Sequence, residues 1–528
     1  MDMENKPDLV SKPQWPQPYV PKRLFDLTGA DAAFAVCAVI ICVFTAILGI
    51  FGGFALGYSV SAVCMLCLFV IYFAKGGKIC VFSIACGVLA FANAAVFLCT
   101  TNGSVRLFGV LVSFFLSLVC LDGIVNGGVK GNRRTMGLFY RAAATVGNVD
   151  IAVKSLFSDR NGNKKTIGKV LIGLLCAVPV LLVVIPLLLS SDDAFRGMMD
   201  RMFTDSGSTA GKGIFGIALS VFAVSYGFSL KAGRTVKEKE GKFAGIENVY
   251  IVSFLSAISL CYLLYLFSQL AYFFSAFKGF LPDEEMTYAQ YARKGFFEMC
   301  VIAVINLALV FAALLLAKKH NGKVCNAIKL LATFVAGFTL IIIATAISKM
   351  VLYIGVYGMT VLRLTTSAFM VFLSVVFISV ILRVYILRIN IVKTALIAAG
   401  CIVLVLGTAN VNRVCAQYNY DSYCNGKLIS IDVEAMYTLG DEGIPYVVKL
   451  TSDKNPVVAQ KAKRYLAKAY LQDYFDTVDN SHPFTVEQLR KTEKDNGFFA
   501  FSLPRAAAYD SLYRYLREHP DYNGYSKN

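Results

Sequence analysis

Two adjacent carboxylates and an arginine stand together at Asp192, Asp193 and Arg196, in the stretch SSDDAFRGMMDRM that directly follows an apolar run. Such a pair can hold a divalent cation, but hard cations usually take more oxygens than two side chains supply, so a local ion-pair network is the plainer use. A second group lies at Tyr353, Tyr357, Gly358, Thr360 and Arg363, within the polar, glycine-bearing segment YIGVYGMTVLRLTT. Irregular backbone at membrane depth is tolerated only where it is buried in protein or lines a cavity, which makes this segment a candidate functional core. A kinked packing segment explains the same residues. A third candidate is Asp122, which precedes Gly123 and Gly127. It suits a proton or cation path, or else marks the plain end of a helix at Leu121 with the carboxylate facing water.

Other signatures fail. Cys64 and Cys67 form a CxxC pair in the middle of an apolar run with no second pair, the setting of packed thiols rather than of a metal or redox site. The three histidines, His320, His482 and His519, have no ligand spacing around them, and GxxxxGK[ST] is absent. No metal, cofactor or catalytic residue is expected.

The elements that position these groups are membrane helices. The 528 residues are 57% hydrophobic and 16% charged, with a mean hydropathy of +0.62, too apolar for one water-soluble core. A helix crossing hydrocarbon needs about 20 mostly apolar residues in a row. Eleven such runs are predicted, at 32–51, 54–73, 79–99, 107–125, 170–189, 214–230, 249–277, 297–317, 324–347, 367–387 and 391–409. The segment 349–366 reads as interfacial, re-entrant or a helix extension. The fold class is therefore all-α: a polytopic helical membrane bundle of about 11 transmembrane helices with a small C-terminal helical soluble domain.

Charge orients the bundle. With the N-terminus inside, the inner loops hold about 25 Lys and Arg against about 9 outside. The chain then divides into a cytoplasmic Pro-rich tail over 1–31, a transmembrane domain over 32–409 and an extracytoplasmic helical domain over 410–528. That last region carries roughly 15 basic and 15 acidic residues, so the net charge of +17 lies mainly on the cytoplasmic side. Topogenesis and anionic lipid account for it, and nucleic-acid binding is not expected. In the C-terminal region Asp432, Asn455 with Pro456, and Ser502 with Pro504 read as helix starts. Cys415 and Cys424 are read as free thiols.

The runs PLLLSSDDAFRGMM, KMVLYIGVYGMTVLRLTT and ANVNRVCAQYNYDSYCNGKLISIDVEAMYTLGDEGIPYVVKL resemble the bacterial membrane family called domain of unknown function 4173, related to the domain of unknown function 4153 group. Its motif after the last helix falls on Tyr418, Asn419, Gly426, Asp432, Leu439, Asp441 and Pro445. The resemblance covers roughly 191–450 and implies an architecture and a bacterial cell membrane address, with no reaction or catalytic residues to transfer. The expected function is a non-enzymatic envelope anchor or sensor. Its partners are the lipid bilayer and, through 410–528, an envelope protein or lipid-linked ligand. A proton- or cation-coupled transporter and a membrane-embedded transferase acting on a lipid-linked substrate are the alternatives.

Overall fold

The computed structural model describes residues 28–73, 81–126, 184, 188, 191–192, 208–231, 245–268, 296–318, 324–386, 389–466, 486–495 and 497–519. Among the described residues there is no strand, only an isolated bridge between Ile246 and Ala317. Ten helices among the described residues are long and apolar enough to cross a membrane. The chain is an integral, multi-pass, all-α membrane protein.

Helix α1 (Gly29–Phe44) runs on through a π turn (Thr45–Ile50). It is followed by α2 (Leu56–Phe73), α3 (Val81–Asn93) with its short continuation α4 (Val96–Cys99), and α5 (Gly103–Asn126). Then come α6 (Ser208–Lys231), α7 (Asn248–Ser268), α8 (Phe296–Leu316), α9 (Asn326–Tyr357), α10 (Val361–Tyr385) and α11 (Ile391–Thr408). They account for ten of the eleven expected runs; the run 170–189 lies outside the described residues. The helical form follows from the solvent, since hydrocarbon offers backbone groups no partner and a helix satisfies them internally. Hydroxyls inside the spans do the same by bonding back one turn, as Ser117 does to Ser113 O at 2.8 Å and Ser374 to Met370 O at 3.0 Å.

The segment 349–366 is a helix extension at both ends and not a re-entrant piece. Its first part completes α9, its last part opens α10, and only 358–360 turn. With 32 residues, α9 is about 48 Å long against about 30 Å of hydrocarbon, long enough to carry polar end groups past the apolar layer without irregular backbone.

Side-chain contacts sort the helix ends onto two faces. At the near face the start of α1 meets the ends of α2 and α6, through Asp31, Tyr72 and Lys231. At the far face Arg106 of α5 donates to Gly53 O at 2.7 Å and Thr100 O at 2.8 Å, gathering the α1–α2 and α4–α5 turns. Lys212 of α6 lies over the Phe51 ring at 5.8 Å, also at the far face. Helix α5 thus ends at the near face and α6 begins at the far face.

Helix α11 joins the bundle's two parts, packing on α3 and α5 on one side and on α10 on the other. Gly407 permits a close approach of α11 to α4, because a Cβ there would come within 2.4 Å of Val96. Within α7, α8 and α9 a buried polar chain replaces apolar packing at one level. Tyr262 donates to Asn306 Oδ1 at 2.6 Å, and the Asn306 amide donates to Thr339 Oγ1 at 2.9 Å.

Beyond α11 the described residues lie at the far face. It forms α12 (Val411–Cys424), α13 (Val433–Tyr437), a 3₁₀ turn (Gly440–Glu442), α14 (Ile444–Leu450) and α15 (Pro456–Leu466). Helix α16 (Val486–Asp495), a second 3₁₀ turn (Phe498–Ala500) and α17 (Leu503–Glu518) complete it. Asp432 caps α13 through Glu434 N at 3.0 Å and Ala435 N at 3.1 Å, and Asn455 accepts from Val457 N at 3.0 Å. Ser502 occupies the cap position of α17, but its hydroxyl makes no capping bond. The core of this region is continuous with the bundle: Val96, Val105 and Val403 belong to the same apolar cluster as Val411, Met436, Val447, Leu450 and Leu512.

Candidate functional site

The densest buried polar constellation lies where the bundle meets the C-terminal helices. Glu442 is 3% exposed, yet its carboxylate sits among donors: Thr101 N at 2.8 Å and Thr101 Oγ1 at 2.5 Å, with the Asn412 amide at 3.5 Å. The Asn412 amide also donates to Leu439 O at 2.9 Å, while its oxygen accepts from Asn102 Nδ2 at 2.8 Å. Asn410, at a left-handed φ of 59°, donates to Cys99 O at 2.7 Å. A short amide side chain tolerates that backbone state better than a bulky one, so Asn410 both makes the corner after α11 and ties it to α4.

Next to Glu442, Asp441 pairs with Arg505 of α17 at 3.4 Å, and Arg106 is within electrostatic reach of both acids. Two carboxylates and two guanidinium groups thus share the junction. Burial pushes the Asp441 carboxyl above the usual aspartate range, against the pull of Arg505. The folded protein therefore holds that proton more tightly than the unfolded chain does. Asp441's contribution to stability is whole below its ordinary value of 3.8 and is lost as pH rises through the folded value. Asp441→Asn, fixed in the neutral form, is expected to flatten this part of the profile. The unfolding midpoint of the variant, followed in detergent, gains on the wild type as pH is raised from about 4 to about 7.

A second clamp lies beside this junction. Asn419 of α12 accepts from Met359 N at 2.7 Å and donates to Met359 O at 2.8 Å, holding the α9–α10 turn as a neighbouring strand would. Gly358 precedes it with φ 78°, and a Cβ there would stand 2.6 Å from Asn419 Oδ1, so only glycine fits. The Arg363 guanidinium closes the turn by donating to Gly358 O and stacks 4.1 Å over the Tyr353 ring, which in turn lies 5.1 Å from Tyr357. Thr360 accepts from Arg363 N at 3.4 Å as the cap of α10.

The candidates drawn from sequence thus divide. Tyr353, Tyr357, Gly358, Thr360 and Arg363 come together with Asn419. Tyr418 lies on α12, Gly426 takes φ 69° just after that helix, and Pro445 stands in the first turn of α14. Asp122 is 4% exposed within an α5 that continues to Asn126, so it does not end a helix in water. Its surroundings are polar: Ser83 is in direct contact with the Gly123 backbone beside it, and Tyr226 is within electrostatic reach. Asp192 is exposed. Asp193 and Arg196 lie outside the described residues. Among the described residues no group of three or more His, Cys, Asp or Glu side chains could hold a metal ion. Cys415 and Cys424 are free thiols, and burial pushes Cys415 up to about 12.

Sequence reasoning missed Glu442, Asn412 and the near-face cluster. In that cluster Asp31, fully buried, accepts from Lys231 Nζ at 2.5 Å, Tyr72 OH at 2.5 Å and Thr28 N at 2.8 Å. The signal available for Asp31 was the Thr28-x-x-Asp31 capping box at the start of the first apolar run.

Residues 59–450 match the family described as "Domain of unknown function (DUF4153)". The chain belongs to that family. The matched region runs from α2 to the end of α14 and so contains both clamps, Thr101 with Glu442 and Met359 with Asn419. Asp31 precedes the matched region, whereas Arg505 follows it. No curated protein and no solved structure matches the chain.

Proposed function

We propose that this member of the DUF4153 family is a non-enzymatic anchor or sensor of the bacterial cell envelope. The 1–31 tail is cytoplasmic, 32–409 spans the membrane, and 410–528 is an extracytoplasmic helical domain that meets an envelope protein or lipid-linked ligand. The charge asymmetry of the loops supports that orientation, and the SDxxF and YGxTxLR stretches at Ser191 and Tyr357 support placing the chain in the 4173 branch. The observation that carries the reading is the shared core and paired clamps at the far face. A domain that merely hung from the membrane would need no buried Glu442 and no apolar cluster common to Val96 and Met436. Coupled in this way, a force or ligand acting on α12–α17 is felt directly by the ends of α4, α5, α9 and α10.

A second reading, cation-coupled transport, has the buried Asp122 in its favour. The two are separated by flux. In proteoliposomes under an imposed potential, the anchor or sensor gives no proton or cation uptake above empty vesicles, in wild type and Asp122→Asn alike. Uptake in the wild type that Asp122→Asn abolishes establishes transport instead.

A further inference from the structure

The turn Phe498–Ala500 with the start of α17 carries three large apolar side chains in the open: Phe498 is 75% exposed, Leu503 56% and Phe501 43%. In a 3₁₀ turn positions i and i+3 lie on one side, so Phe498 and Phe501 share a face. The turn is fixed against the bundle by two contacts. The Phe499 ring meets Phe44 of α1 edge-on at 5.2 Å, and Phe501 O accepts from Leu56 N of α2 at 3.2 Å.

Those two anchor points set its depth. Phe44 lies thirteen residues beyond Asp31, about 20 Å along α1. Leu56 lies sixteen residues from Tyr72, about 24 Å along α2. Asp31 is bonded to both Tyr72 and Lys231, a charged cluster that belongs at the inner hydrocarbon edge. From that edge the hydrocarbon extends about 30 Å, so both anchor points fall below its far boundary, Phe44 by roughly 10 Å. Helix α2, at 18 residues, is itself only about 27 Å long.

We infer that the Phe498–Leu503 segment is a lipid-inserted wedge, burying Phe498, Phe501 and Leu503 among the acyl chains of the far leaflet beside α1 and α2. The C-terminal region is then held to the bilayer by its own apolar side chains as well as by the bundle. Arg505, which donates to Ala500 O at 3.1 Å, ties the wedge to Asp441 and hence to the polar junction. Lipid packing around Phe498 is thereby in contact with the clamp at Glu442.

This inference rests on the reading that 410–528 lies against the far leaflet, and its test is independent of which compartment that leaflet faces. The chain has a single Trp, Trp15, so Trp15→Phe with Phe498→Trp gives a sole reporter on a side chain that makes few contacts. The full-length variant is reconstituted in phosphatidylcholine and phosphatidylglycerol vesicles carrying a spin label either near the head or near the end of the acyl chain. Insertion gives blue-shifted emission, strongest quenching by the label near the chain head, and several-fold weaker quenching by aqueous iodide. Leu503→Trp in the same background is expected to repeat the pattern. Quenching by iodide with none by lipid overturns the proposal, and so does shielding from both, which means that protein covers the turn. A C-terminal domain on the cytoplasmic side would leave the lipid quenching in place and fail only the sidedness measurement.

Discussion

Glu442→Ala is expected to destabilise the protein by about 3 kcal/mol and to loosen the C-terminal helices from the bundle before the bundle itself unfolds. The size follows from what the substitution leaves behind. Glu442 is almost fully buried, and its loss strands the Thr101 N–H, the Thr101 hydroxyl and part of the Asn412 amide where water does not reach them. Each buried donor left unpaired costs about 1–3 kcal/mol. Two measurements check it. The thermal midpoint in detergent should fall, and amide exchange should rise together in 100–102 and in α12, because the clamp holds both. Faster exchange in α12 alone would show that Glu442 does not hold the 100–102 turn.

The near-face cluster yields the second large effect, and it is asymmetric. Lys231→Met leaves the buried Asp31 carboxylate with only Tyr72 and Thr28 as donors, and breaking a buried pair from the cation side costs about 3 kcal/mol. Asp31→Asn leaves Lys231, whose side chain is 34% exposed, able to turn its ammonium toward water, so the loss is about 1 kcal/mol. The double variant removes both charges and is expected to recover most of the Lys231→Met loss. Unfolding midpoints of the three variants in one detergent give the cycle directly. Equal losses for the two single variants would mean that Asp31 is not the buried partner.

How far the sequence discloses such features depends on their range. Apolar runs are continuous and local, so ten of the expected crossings appear as helices, and the caps at Asp432 and Asn455 are legible for the same reason. Hydropathy could not tell a re-entrant piece from a long helix over 349–366, because Lys349 and Arg363 lower the local average whichever way the backbone runs. Asp122 was ambiguous because its burial depends on α3 and α6, which no local window contains. Glu442 lies 341 residues from Thr101, and Lys231 lies 200 residues from Asp31. Neither pairing has a local signature. The family motif came nearest, since Asn419 and Asp441 proved to stand at the two clamps, although the motif could not say what they hold.

Two native thiols report which side of the membrane holds the C-terminal helices. Cys424 is exposed at the end of α12, and Cys325 is exposed just before α9, at the opposite face. Intact cells producing the protein are treated with a membrane-impermeant thiol reagent, with Cys424→Ser and Cys325→Ser as the controls. Labelling is expected on intact cells and is removed by Cys424→Ser, with a further increment, seen only after permeabilisation, that Cys325→Ser removes. The reverse pattern would put 410–528 in the cytoplasm and contradict the extracytoplasmic anchor or sensor.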